Sequence, residues 1–131
     1  MSATNRGAIV VTNEFYPTPD YTIQVLLDEL DFTKYKSFHE PCKGNGAILD
    51  LIPANLTKSY CELVEGINYL TTTVSPVDLI ITNPPFSLAQ KFITKSLTEA
   101  NTVIYLLRLN YLARKLVKNF GKLTHLLIYL C

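Results

Sequence analysis

Val77-Asp78-Leu79-Ile80-Ile81-Thr82-Asn83-Pro84-Pro85-Phe86 is the stretch on which the reading of this chain turns. Residues 77–82 are β-rich and almost wholly apolar, as expected of a parallel strand buried on both faces. The strand stops at Asn83. Pro84 and Pro85 have no backbone N–H to donate, and each holds the residue before it extended. The chain therefore leaves the sheet at the carboxyl end of a strand, the edge at which open α/β sheets bind ligands. That edge offers an amide, main-chain carbonyls and an aromatic ring. Such a set suits a flat group bearing an NH2. The Asn83 oxygen and the Pro84 carbonyl accept its two hydrogens, and Phe86 stacks on its face.

Upstream, Lys36 to Glu40 reads as a first strand. It runs into Glu40-Pro41-Cys42-Lys43-Gly44-Asn45-Gly46-Ala47, a tight turn that opens a short helix over residues 47–52, ended by Pro53. Gly44 and Gly46 permit positive φ and close approach of a ligand to the backbone. The loop lacks the Gly-Lys-Ser/Thr ending of a phosphate-binding loop and the third glycine of the dinucleotide fingerprint. Glu40 would repel phosphate and attract an amino group. The loop thus points away from nucleotide-dependent oxidoreductases and kinases, toward a zwitterionic, phosphate-free ligand. Ser59 to Leu63 reads as a second strand, with Glu62 near its carboxyl end. An acid there can accept from both hydroxyls of a ribose; Glu65 is the competing candidate.

Thr18, Pro19 and Asp20 form a helix start. Ile23, Leu26, Leu27 and Leu30 follow at i, i+3, i+4 and i+7, one apolar face. After the Asn-Pro-Pro-Phe turn, Ser87 to Glu99 reads as a helix that Ser87 could cap, and Thr102 to Leu107 as another buried strand. Tyr111 to Asn119 reads as a basic amphipathic helix stopped by Gly121, and Leu123 to Leu130 as a last strand. The fold expected is a single Rossmann-like three-layer α/β/α sandwich over residues 1–131, with a mostly parallel sheet and a mobile arm over residues 1–14.

Three stretches in this order resemble one family. Asn83-Pro84-Pro85-Phe86 is similar to the catalytic Asn-Pro-Pro-aromatic motif of S-adenosylmethionine-dependent DNA amino-methyltransferases, the N6-adenine type above all. Glu40-Pro41-Cys42-Lys43-Gly44-Asn45-Gly46 resembles their Asp/Glu-Pro-x-x-Gly-x-Gly cofactor loop. Phe15-Tyr16-Pro17-Thr18-Pro19 looks like their Tyr-Thr-Pro segment, with an extra proline. The resemblance runs from Phe15 to about Asn110. It implies methyl transfer to an exocyclic amine, with Asn83, Pro84, Pro85 and Phe86 catalytic. It also implies that Phe15, Tyr16, Thr18, Glu40, Pro41, Gly44, Gly46, Glu62, Asn68 and Tyr69 bind S-adenosylmethionine. Two departures stand out. Asn68 occupies the place of an acid that accepts from the cofactor adenine. Glu62 and Asn68 are also too close for the usual helix and strand between them, so the chain resembles compact phage-type members. RNA or a protein glutamine presents the same kind of planar group as adenine in DNA.

With 131 residues, 48% hydrophobic and 18% charged, the chain is expected to form one folded domain. Its net charge of +1 gives no global basic excess. The local exception is Arg108, Arg114, Lys115, Lys118 and Lys122, read either as a solvated helix face or as a phosphate-facing patch for DNA. Cys42, Cys61 and Cys131 share no metal-like spacing, and an odd count suggests reduced thiols in a cytoplasmic setting. No metal and no membrane partner are expected; His39 and His125 read as structural. Neither a target-recognition domain nor the closing β-hairpin of the family's sheet is evident. This leaves a second reading, a catalytically inactive domain that binds cofactor, nucleic acid or a partner subunit. The apolar last strand would favour a homodimer by edge pairing.

Overall fold

A computed structural model describes residues 20–130. The expected Phe15, Tyr16 and Thr18 contacts, the helix cap at Thr18 and the arm over residues 1–14 lie outside the described residues. Among the described residues five parallel strands form one sheet: β1 (Ser37–Glu40), β2 (Thr57–Tyr60), β3 (Val77–Thr82), β4 (Ala100–Leu107) and β5 (Leu126–Leu130), in the spatial order β2-β1-β3-β4-β5. Helix α1 (Asp20–Asp28) covers one face; α2 (Ala89–Leu97) and α3 (Tyr111–Phe120) cover the other. The result is the Rossmann-like three-layer sandwich that the sequence predicts.

The strands alternate between two cores. Leu79, Ile81, Ile104 and Leu106 pack with Phe38 against Ile23, Leu26 and Leu27 of α1. Ile80, Val103, Tyr105 and Leu107 pack against Phe92 and Ile93 of α2 and Ala113 and Leu116 of α3. Leu79, Ile80 and Ile81 are fully buried, which is why β3 is continuously apolar. Ile23, Leu26 and Leu27 form the predicted apolar stripe of α1, whereas Leu30 lies two residues past the helix end and packs half-buried against the same core.

Several boundaries differ from expectation. The turn after Gly46 forms only a three-residue 3-10 helix, Leu49–Leu51, because too few residues separate the glycine loop from Pro53 for a stable α-helical nucleus. Strand β2 ends at Tyr60, so Glu62 lies beyond it. Ser87 falls within a 3-10 turn, Phe86–Leu88, and α2 starts at Ala89. Between β2 and β3 the chain makes two 3-10 turns, Leu63–Glu65 and Tyr69–Thr71, in place of a crossover helix and strand. Strand β5 is an edge of the sheet, with Leu127 and Leu130 exposed, and is the place where the sequence suggests pairing with a second copy. No helix among the described residues is long and apolar enough to cross a membrane.

Candidate functional site

From β1 the chain moves outward to β2, then crosses back over β1 to β3. The loops after β1 and β3 therefore leave the sheet in opposite directions from adjacent strands. That divergence opens the crevice in which doubly wound sheets hold ligands. The glycine loop follows β1, and Asn83-Pro84-Pro85-Phe86 follows β3. Topology thus brings the two motifs together at one edge.

Thr82, the last residue of β3, ties them. Its buried hydroxyl accepts from the Cys42 backbone N–H at 3.3 Å. It shares its own proton between the Cys42 carbonyl at 3.2 Å and Glu40 Oε2 at 3.3 Å. Sequence reasoning passed over Thr82; its signal is a hydroxyl ending an apolar strand, one residue before Asn83. On the other side the loop is braced to the chain leaving β2, by Lys43 N–H to the Cys61 carbonyl at 3.0 Å and Cys61 N–H to the Glu40 carbonyl at 2.9 Å.

Gly44 has φ 58° and Gly46 φ 86°, the left-handed conformations expected of the loop. At Gly46 an added Cβ would lie 3.0 Å from Asp50 Oδ2. Pro41 and Gly46 are buried, and Gly44 is half-buried.

Glu40 is 1% exposed. Its Oε1 has no hydrogen-bond partner among the described residues. Burial holds its carboxyl well above the usual range; the Thr82 hydroxyl and the Leu49 amide oppose this, and the charges of Asp50 and Glu62 add to it. Burial, followed by the negative charges of Glu62 and Glu40, pushes the Cys42 thiol up to about 12, which makes it a poor nucleophile.

Glu62 is also buried, at 8% exposure, and its two oxygens hold the backbone together. Oε1 accepts from Gly44 N–H and Oε2 from Val64 N–H, each at 2.8 Å. It is thus both the N-cap of the first 3-10 turn and the clamp of the glycine loop. Its rival Glu65 is exposed and bonds Lys43 Nζ at 3.0 Å and the Tyr60 hydroxyl at 2.7 Å. The Tyr60 bond, then the Lys43 bond, hold its carboxyl below the usual range.

Asn68 and Tyr69 both make contacts within the fold. Asn68 Oδ1 caps the second 3-10 turn, accepting from Leu70 N–H at 3.0 Å. The Tyr69 ring is 1% exposed, edge-on to Phe92 and stacked on His39. Its hydroxyl bonds Ser96 at 3.0 Å and also Glu99, which pairs with Lys95. The Tyr69 ring is thus part of the core on the α2 side of the sheet. His39 is structural too: Nδ1 meets Ser59 Oγ at 2.7 Å, and burial lowers its pKa to about 4.

Of the turn after β3, Pro84 is buried, while Asn83, Pro85 and Phe86 are half-buried. Pro85 starts the 3-10 turn at Phe86–Leu88 in an extended conformation. Among the described residues no group of three or more His, Cys, Asp or Glu could hold a metal ion. The chain matches no protein-family model, no curated protein and no solved structure in the comparisons made.

Proposed function

We propose that this chain transfers a methyl group from S-adenosylmethionine to an exocyclic amine, N6 of adenine in DNA. The observation that carries this reading is the Thr82 clasp. It fixes the glycine loop against the Asn83-Pro84-Pro85-Phe86 turn at the topological switch point of the sheet.

The cofactor loop has the chemistry of its proposed ligand. A buried carboxyl oxygen without a partner costs about 1–3 kcal/mol, which a bound cationic amine would relieve. Glu40 is such a group. Gly44 and Gly46 keep side chains out of the loop, and Glu62 holds it open from behind. S-adenosylmethionine supplies an electrophilic methyl group on a sulfonium.

The residues of the β3 turn do the rest. The amine lone pair of adenine is delocalised into its ring and poorly nucleophilic. Acceptance of its hydrogens by the Asn83 side-chain oxygen and the Pro84 carbonyl draws the nitrogen toward tetrahedral geometry and concentrates the lone pair. Phe86 holds the base by stacking, and the base must leave the duplex to be held. As the N–CH3 bond forms, the S–CH3 bond would break to leave S-adenosylhomocysteine, and the amine would shed one proton to water; rate enhancement comes from alignment and electrostatic placement, with no covalent enzyme intermediate.

A methyl-transfer assay on unmethylated DNA tests the reading. Asn83→Ala is expected to abolish transfer while cofactor affinity stays within a few-fold of the parent. Loss of cofactor binding in that variant would remove Asn83 from its assigned role. Cofactor binding by the parent with no transfer would favour the inactive-domain alternative, which gains some support from Asn68 and Tyr69 being spent on the fold.

A further inference from the structure

No aspartate or glutamate follows Glu99, whereas Arg108, Arg114, Lys115, Lys118 and Lys122 all do. A chain of net charge +1 therefore carries a strongly basic last quarter and an acidic remainder. Helix α3 organises this charge. Ala113 and Leu116 are buried against the sheet. Tyr111, Arg114, Lys115 and Lys118 recur at i, i+3, i+4 and i+7, all exposed, and so form one stripe on the opposite face.

The stripe is headed by an aromatic ring. Tyr111 is 81% exposed, and Leu109 beside it is 50% exposed. Both lie where β4 leaves the sheet. Thr82 pairs with Tyr105 in the β3–β4 register, and β4 ends two residues later at Leu107, so this corner adjoins the Asn83 turn. Asn110 fixes the corner by accepting from Ala113 N–H at 2.9 Å.

We propose that the exposed face of α3 is a track for a single, unpaired nucleic-acid strand, with Tyr111 stacking on a base next to the one that enters the site. Tyr111 to Lys118 spans about 10 Å, room for roughly two to three phosphates of one strand. A ring exposed at the head of a cationic stripe can stack on any unpaired base and gains nothing from a paired one. An anionic membrane fits less well, because the apolar face of α3 is committed to the core and cannot insert. The use of this track to present adenine rests on the methyl-transfer reading; the track itself does not.

The test is fluorescence anisotropy with the full chain and no cofactor. The probes are a labelled single-stranded oligonucleotide with one adenine among thymines, its duplex, and phosphatidylserine vesicles. The single strand is expected to bind tighter than the duplex, and Tyr111→Ala to weaken strand binding about ten-fold, with Tyr111→Phe close to the parent. Each of Arg114→Ala and Lys118→Ala is expected to lower the salt slope of binding by about 0.7. Circular dichroism confirms folding of these surface variants. Unchanged binding by Tyr111→Ala, duplex binding equal to or tighter than single strand, or binding to vesicles alone would overturn the proposal. Strand binding without methyl transfer would uphold the track and sink the activity; methyl transfer indifferent to Tyr111 would do the reverse.

Discussion

Glu62→Gln replaces one carboxylate oxygen by an NH2 of nearly the same size. In the parent the two oxygens accept from Gly44 N–H and Val64 N–H at 2.8 Å each, at a position 8% exposed. The amide keeps one acceptor and turns a donor toward the other N–H. The loss is one charge-assisted bond, about 1.5–3 kcal/mol, with an unpaired donor facing a second one. The unpaired donor adds about 1–3 kcal/mol, and partial access to water trims the sum to roughly 3 kcal/mol. For a domain of this size that is a fall of about 10 °C in melting temperature. Thermal melts followed by circular dichroism measure it, with Glu65→Gln as the control. Glu65 is exposed and bonded only to side chains, and its variant should fall less than half as far. Cofactor affinity should drop in Glu62→Gln, since the clamp on Gly44 is gone. A Glu62→Gln protein that melts with the parent would refute the claim that this carboxylate holds the loop.

Two further substitutions test the loop. Glu40 has a folded-state pKa raised above its ordinary 4.5, so its contribution to stability is present below that value and is lost as pH rises through the folded pKa. Glu40→Gln should therefore gain on the parent as pH rises above 4.5 in urea melts, and a pH-independent gap would contradict the assignment. A cationic ligand at Glu40 would favour its ionised form, so the parent should release a proton on binding cofactor, seen as a buffer-dependent enthalpy that Glu40→Gln lacks. Gly46→Ala should cost about 1–2 kcal/mol for a left-handed backbone and weaken cofactor binding as its Cβ presses on Asp50; a melt within error of the parent would count against the observed φ of 86°.

Strand β3 was readable to the residue because burial on both faces leaves a continuous apolar run that the Asn83-Pro84-Pro85 turn ends sharply. The stripe of α1 and the positive φ of both loop glycines were readable for equally local reasons. Glu62 was found, but its partners were not. Whether a carboxylate near a strand end meets a ligand or caps the next turn depends on where the strand stops, and β2 stops at Tyr60. The packing of Tyr69 was not legible because its hydroxyl partners, Ser96 and Glu99, are 27 and 30 residues away, a pairing that spacing cannot reveal. Thr82 escaped notice for the same reason, since its partners lie 40 and 42 residues upstream.

Calorimetric titration of the purified protein with S-adenosylmethionine, and separately with S-adenosylhomocysteine, tests the central claim most directly. Saturable binding of both at micromolar concentration is the expected result. Absence of binding by either at millimolar concentration would contradict a cofactor site between the glycine loop and the Asn83 turn.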